Sequence, residues 1–580
     1  MTCNMKNNNN REVMPNLALH SLFSNKNIFK LLGIIAICVF FLLPIFRLIM
    51  LSFTSDGTIS YGNYTTILQD ASTWKVVSNT LIVVAGSTVI SLVIGISLAW
   101  LVAYTDIRAK RLMQIFIILP FVIPSYITTL AWTQFLGANG LYVKLASLLP
   151  FEVEAINLYS LAGIIFVLGF SHYPLVYLLT VSVFRKIPRE LELASRASGA
   201  KRWATFRKVN MPLALPGIVS GGFLAFLANL DNFGIPAFLG IPAQINVLST
   251  YIYQQVVGFG PSAFARAATF SVILGIVALL GTAIQWFFLR KSKRLETTME
   301  DKQPRYYLGN KKLPVEIFIW LFFLVTGVVP LISMGMTSLV TAYGVDFSLK
   351  TMSFENYQFI LTTSSKAKEA LGNSVMLAGV TMIIGIILGT SIAYLRVRKP
   401  NFLSKFTEVS ISLPYALPGT VMALAMIFAW MEPIPGWNPD IYGSIIILFI
   451  AYITRFLILQ VRGSITALMQ VDLSIEEAAH VSGAKGWSKW RKILVPLLTP
   501  GVLSGAFLVF LSALTELTVS SLLWSSNSET IGVVIFGFEQ AGYTTYSTAF
   551  SSLIVMLIIL GFTILYLAQS YWNRKVGKRT

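Results

Sequence analysis

Cysteine is almost absent from this 580-residue chain: Cys3 and Cys38 are the only two. Neither a disulfide framework nor a cysteine metal site can be built from them. Histidine is nearly as scarce, and His20, His172 and His480 lie far apart with no HxxxH-type pair, so a histidine metal site has no local support. Charged residues make up 12% of the chain, where a soluble domain carries about 25%. No GxxxxGKS or GxxxxGKT phosphate loop occurs, which excludes ATP hydrolysis by that route.

What is abundant is apolar surface. Hydrophobic residues are 55% of the chain and the mean hydropathy is +0.71. Folding on itself cannot hide that much apolar surface, so the chain needs lipid as part of its solvent. Residues 1–28 are polar and Asn-rich, from Asn7 to Asn10, and read as a cytoplasmic leader. The run from Ile28 to Phe53 is about one span long. It is too long for a signal-peptide core and no small-x-small cleavage site follows it. Further runs lie near 77–104, 112–137, 157–184, 214–239 and 268–290, then near 314–340, 371–395, 404–431, 441–463, 498–525 and 548–572. The spacing predicts an all-α polytopic membrane protein of twelve helices. Its parts are a first six-span repeat over 29–290, a basic connector over 291–313, a second repeat over 314–572 and a tail over 573–580.

The net charge of +19 invites a nucleic-acid partner, but its distribution argues for a bilayer instead. With a cytoplasmic N-terminus, the inner segments hold about 36 of the 44 lysines and arginines, and the outer loops about six: Lys75, Lys144, Arg266, Lys350, Lys366 and Lys368. That bias predicts both termini in the cytoplasm.

The halves are related. Asn79, Gly95, Ser97, Ala99 and Leu101 recur at one offset as Asn373, Gly389, Ser391, Ala393 and Leu395, and Pro120 and Pro124 as Pro414 and Pro418. Beyond the loop from Gly137 to Ile156 the offset shortens by about ten residues. Both copies start and end on one side, so the repeat is parallel, with a pseudo-twofold axis along the membrane normal and a path between the halves. The four prolines are either kinks tolerated in lipid or breaks lining the path.

Two long loops between the fourth and fifth spans of each half carry the sharpest signal. One runs from Glu192 through Ala194, Gly199, Ala200, Trp203, Phe206 and Pro212 to Pro216. The other runs from Glu476 and Glu477 through Ala478, Ala479, Gly483, Ala484, Trp487, Trp490 and Pro496 to Pro500. Each reads as a short helix with one face of small residues, then a glycine in the left-handed position. A basic amphipathic stretch anchored by aromatics follows, and a proline stops that stretch before the next span. A generic interfacial helix explains either loop alone. It does not explain two copies matching at Gly-Ala-Lys, Trp, Arg-Lys, Pro-Leu and Pro-Gly.

This pair resembles the EAA loop of bacterial ABC importer permeases of the type I fold, and fused six-span halves are similar to the ferric-iron importer permeases in particular. The runs Asn229–Ala237, Ala451–Leu457 and Thr515–Leu523 carry the same likeness. Thiamine, aminoethylphosphonate and polyamine permeases are alternatives of one transporter type. The resemblance implies that the loops at Glu192, Ala194, Gly199 and Ala200 and at Glu477, Ala478, Ala479, Gly483 and Ala484 dock two copies of a cytoplasmic ATPase. That partner would use the ATP and Mg, with no cofactor bound by this chain, and an extracytoplasmic binding protein would deliver the solute. The second copy matches the pattern in full. In the first, Leu193 takes the glutamate position, Ser195 the second alanine, and Glu192 comes one place early. An ion-gradient transporter would also have twelve spans, but it leaves these loops without a task.

Three ionisable residues interrupt apolar runs. Asp231 and Glu516 are expected at similar depth in the outer half of the membrane, Arg455 in the inner half. Such residues usually face protein or a watery path. The carboxylates either line the path and attract a cation, which for Fe³⁺ suits oxygen ligands, or cap irregular helix ends. Arg455 either joins them, snorkels or pairs with a carbonyl. His172 reads as a packed polar residue and His480 as part of the loop surface.

Overall fold

A computed structural model describes residues 25–55, 58–147, 150, 154–258, 263–290, 300–431, 433 and 438–577. Leader residues 1–24, connector residues 291–299 and the last three residues of the tail lie outside the described residues. Among the described residues, ten helices are long and apolar enough to cross a membrane. Two further helix pairs are sharply bent: Lys110–Val122 with Ser125–Ala146 by 101°, and Phe402–Ala416 with Gly419–Met431 by 111°.

Contacts at the span ends decide how the bent pairs count. The second span, Ala71–Tyr104, and the fourth, Leu161–Lys186, finish side by side, with the rings of Tyr104 and Phe184 5.1 Å apart. Both therefore run in one direction, and the bent pair between them has to return the chain across. The second half repeats this: Arg398, at the end of the eighth span, donates to the carbonyls of Leu468 and Val471 at the end of the tenth. Each bent pair is one broken span, and the crossings among the described residues number twelve, six per half.

The prolines explain the breaks. Ile123 and Leu417 precede Pro124 and Pro418 and are extended, with ψ of 130° and 144°. A proline ring pushes the residue before it out of the helical region. The third and ninth spans are thus broken rather than kinked. Pro44, Pro212, Pro330 and Pro496 are absorbed differently. Each follows a five-residue π turn (Cys38–Leu42, Phe206–Asn210, Leu324–Val328, Trp490–Leu494) and sits in the first turn of the α-helix that resumes. The wider turn makes room for the ring and asks for no N–H there. This corrects one expectation: Pro212 and Pro496 do not stop the amphipathic stretch. Arg202–Asp231 and Gly486–Leu514 each run unbroken from the basic stretch into the span.

Those two helices end earlier than the apolar runs suggest, at Asp231 and Leu514. Short helices follow, Leu248–Val257 and Ile531–Gln540, which hydropathy alone did not mark. The repeated asparagines hold the approaches to them. Asn79 donates to the Asn246 carbonyl, and Asn373 to those of Asn527 and Glu529, all at 3.1 Å.

The first span of each half packs on the other half. Phe40 lies 5.3 Å from Trp430 in the ninth span, and Arg47 donates to the carbonyls of Phe428, Ala429 and Pro433. Arg47 is a fourth charge in an apolar run, and it caps the C-terminal end of Gly419–Met431, where a cation meets the negative end of the helix dipole. In return, Ser333 of the seventh span donates to the Gln134 carbonyl at 2.8 Å.

Close helix approach explains the recurring glycines. A Cβ at Gly95 would lie 2.6 Å from the Val176 Cβ and 2.9 Å from the Tyr173 carbonyl oxygen. Substitution Gly95→Leu should destabilise the protein by about 1–3 kcal/mol by forcing the second and fourth spans apart, read as a lower unfolding temperature in detergent.

Candidate coupling loops and the cavity between the halves

Both loops fold alike. The helices Arg189–Ala197 and Leu473–Val481 are related by the repeat offset at both ends. Gly199 and Gly483 then take φ of 86° and 82°, a region that a side chain strains. Ala200 N–H reaches back to the Ser195 carbonyl and Ala484 N–H to that of Ala479, closing each helix in a Schellman turn. Of the aromatics, Phe206 and Trp490 pack inward on Trp100 and Tyr394. Trp203 and Trp487 stay 70% and 75% exposed.

The glutamates divide into two kinds. Glu192 is buried; it accepts from Asn210 Nδ2 at 2.7 Å and forms an ion pair with Arg305. Glu476 is its counterpart, buried between Arg398 at 2.6 Å and Lys489 at 2.9 Å. Glu192 therefore anchors its loop from inside and does not present its carboxylate outward, a correction to its place in a contact surface. Glu477 and Leu193, one residue later, are exposed, as are Ala194, Ala478 and His480. Ala479 turns inward. At the one exposed position of Leu193 and Glu477, the first loop is thus apolar where the second is acidic.

The three intramembrane charges of the sequence converge. Asp231 and Arg455 form an ion pair at 2.8 Å across the two halves, and both, with Glu516, line a cavity of about 170 Å³. The breaks in the third and ninth spans open onto it through Ser125, Tyr126 and Tyr415. The ninth-span break also supplies polar backbone: Gly419 N–H donates to Asp231 and the Leu417 carbonyl accepts from Arg455. Glu516 caps the short helix after the eleventh span, accepting from Val519 N–H at 2.7 Å and Ser520 N–H at 2.9 Å. Asn232, at the matching position, accepts from Ile235 N–H at 2.9 Å.

The expected depth of Arg455 needs correction. The tenth span starts at Ile445, so Arg455 is ten residues in, about 15 Å at 1.5 Å per residue. That is mid-membrane rather than the inner half, which is how it reaches Asp231. His172 is a packed polar residue, bonded to Asn229 at 2.7 Å. Among the described residues, no three His, Cys, Asp or Glu side chains gather closely enough to hold a metal ion.

Residues 91–296 and 381–578 match the family described as binding-protein-dependent transport system inner membrane component, once in each half. The chain belongs to that family. It is similar to the ferric transport system permease protein FbpB of Actinobacillus pleuropneumoniae, 28% identical over 91% of this chain and 76% of that one. A putative ferric transport system permease protein of Haemophilus influenzae is 27% identical over 86% of this chain and 78% of its own length. The sulfate transport system permease protein CysT of Escherichia coli matches at 26% identity over 45% of this chain and 92% of its own. Among solved structures, one from a bacterial ABC transporter involved in alginate import covers 48% of this chain and all of that one, at a TM-score of 0.39 and 17% identity.

The chain is thus the fused, two-repeat permease of an ABC importer: a multi-pass transport subunit rather than a catalyst, whose kind works with an ATPase and a binding protein. Fusion lets the halves of this permease differ. By the repeat offset Arg455 corresponds to Ser171 and Asp231 to Thr515, so the charge pair occurs once rather than twice.

Proposed function

We propose that this permease moves ferric iron into the cytoplasm, and that its two loops dock two copies of a cytoplasmic ATPase while a receptor delivers iron from the opposite side. The observation that carries the reading is the matched pair of inward-anchored loops with exposed faces, separated by six crossings and hence on one side of the membrane. The lysine and arginine bias supports placing that side, and both termini, in the cytoplasm. No cofactor is assigned to this chain; ATP and Mg belong to the ATPase.

Two observations support iron as the cargo. The ferric permeases share the fused layout over most of this chain, and the cavity between the halves carries two carboxylates, the oxygen ligands a hard cation prefers. The two have different tasks. Both Glu516 oxygens are taken by backbone N–H groups in a buried site, whereas Asp231, bonded to Gly419 N–H and Arg455, is 36% exposed beside the cavity. In this reading Asp231 is the carboxylate that trades Arg455 for a passing cation.

Uptake of radioactive ferric iron by cells that express the whole transporter tests this, with labelled sulfate as the control. Deleting residues 190–200 and 474–484 should reduce iron uptake to background and release the ATPase from the membrane. Iron uptake that survives the deletion, or that collapses with an ionophore while ATP remains, overturns the reading. Sulfate uptake in place of iron overturns the cargo alone.

A further inference from the structure

The arginine that holds each loop glutamate comes from a different part of the chain in each half. In the second half it is Arg398, the last residue of the eighth span, which binds Glu476 and the Val471 carbonyl. In the first half it is Arg305, from the connector, which binds Glu192 and the Ile187 carbonyl. The offset that takes Glu192 to Glu476 also takes Ile187 to Val471. The two guanidinium groups therefore grip equivalent atoms. The first-half position equivalent to Arg398 is Tyr104, by the offset that takes Asn79 to Asn373. Its ring lies 4.7 Å from the Arg305 guanidinium, and its carbonyl accepts from Arg305 N–H and Tyr306 N–H.

The connector is fastened around this point. Asp301 N–H donates to the Arg185 carbonyl, Leu308 N–H to Asp106, and Lys312 pairs with Asp106 at 3.1 Å. The Arg305 side chain is only 2% exposed, so it is built into the protein rather than laid on its surface. A bidentate guanidinium fixes both the distance and the angle of its partners.

We propose that Arg305 is a positioning residue for the first coupling loop, which makes connector residues 300–312 a working part of that loop, and that an arginine at position 104 can take over the task. The coupling half of this statement rests on the proposed function; the clamp does not.

Hydrogen exchange on the full-length permease, purified without its ATPase, reads the clamp directly. Arg305→Ala should speed exchange over residues 189–200 about tenfold or more, because a buried carboxylate loses its main partner, and should leave residues 473–484 unchanged. Arg398→Ala should do the reverse. Adding Tyr104→Arg to Arg305→Ala should restore protection of the first loop. Unchanged exchange in Arg305→Ala, or no recovery in the double variant, overturns the proposal. Should Arg305→Ala fail to accumulate, Arg305→Lys keeps the charge but loses the fork, and exchange should rise to a smaller extent. ATP-driven uptake in the assembled transporter should fall in Arg305→Ala and recover in the double variant. A loosened loop with normal uptake would sink the coupling role of the loop while leaving the clamp intact.

Discussion

Replacing Arg455 by methionine should cost about 3 kcal/mol of stability and abolish transport. The arginine is 6% exposed and pairs across the halves with Asp231. Removing one partner of a buried pair leaves the other charge without compensation, a loss of about 3–5 kcal/mol. The lower figure applies here, because a third of the Asp231 side chain faces the cavity. The double variant Asp231→Leu with Arg455→Met removes both charges at similar volume and should recover most of the stability, measured as assembled protein and thermal midpoint in detergent. Transport separates the two roles of the pair. If the double variant assembles and still transports, the charges only hold the halves together and the path lies elsewhere. If it assembles and is inactive, Asp231 handles the cargo.

The neighbouring glutamates of the second loop should fail in different ways. Glu476→Ala strips the partner from Arg398 and Lys489 at once. We expect a loss of about 3 kcal/mol in the anchoring of that loop, seen as rapid proteolysis near Gly483. Glu477 is exposed, so Glu477→Ala should leave protease resistance unchanged while weakening ATPase binding. Proteolysis of Glu477→Ala as fast as that of Glu476→Ala would refute the division. The pH dependence has a definite sign. Burial pushes the Glu476 carboxyl up, but Lys489 and Arg398 more than offset this and hold it below its ordinary value. A lowered carboxyl contributes stability that is complete above its unfolded value and fades as pH falls through the folded one. The bonds to Glu476 and to the Tyr394 hydroxyl raise Lys489, so the pair also survives into alkaline solution. The second loop should therefore keep its protection across neutral pH and lose it only in acid below the usual carboxylate range.

Much of this was legible in the sequence because it is local. Apolar runs mark the spans, and the glycines at 199 and 483 mark the turns, whose left-handed backbone follows from the residue type. The prolines at 124 and 418 pointed to both readings of their spans, and only the bend angles separate a break from a kink. The rest depends on partners far along the chain. Asp231 meets Arg455 across 224 residues, and Glu192 meets Arg305 across 113. No period or spacing connects such pairs. Pro212 and Pro496 misled for a different reason: the rule that proline ends a helix assumes an α turn before it, and here a π turn precedes each.

The capping of the ninth span by Arg47 sets an order of events in biosynthesis. The carbonyl that Arg47 binds at Pro433 is 386 residues away. At about 5–20 residues per second, a ribosome needs roughly 20–80 s to make that stretch. Through that interval the nascent first helix can pack on the sixth span of its own half, where Thr269 donates to the Ser52 carbonyl, but the contacts of Arg47 to the ninth span wait until the second half inserts. The two halves are joined by one chain but matured as one object, so a truncated first half should be a substrate for membrane proteolysis rather than a free-standing unit.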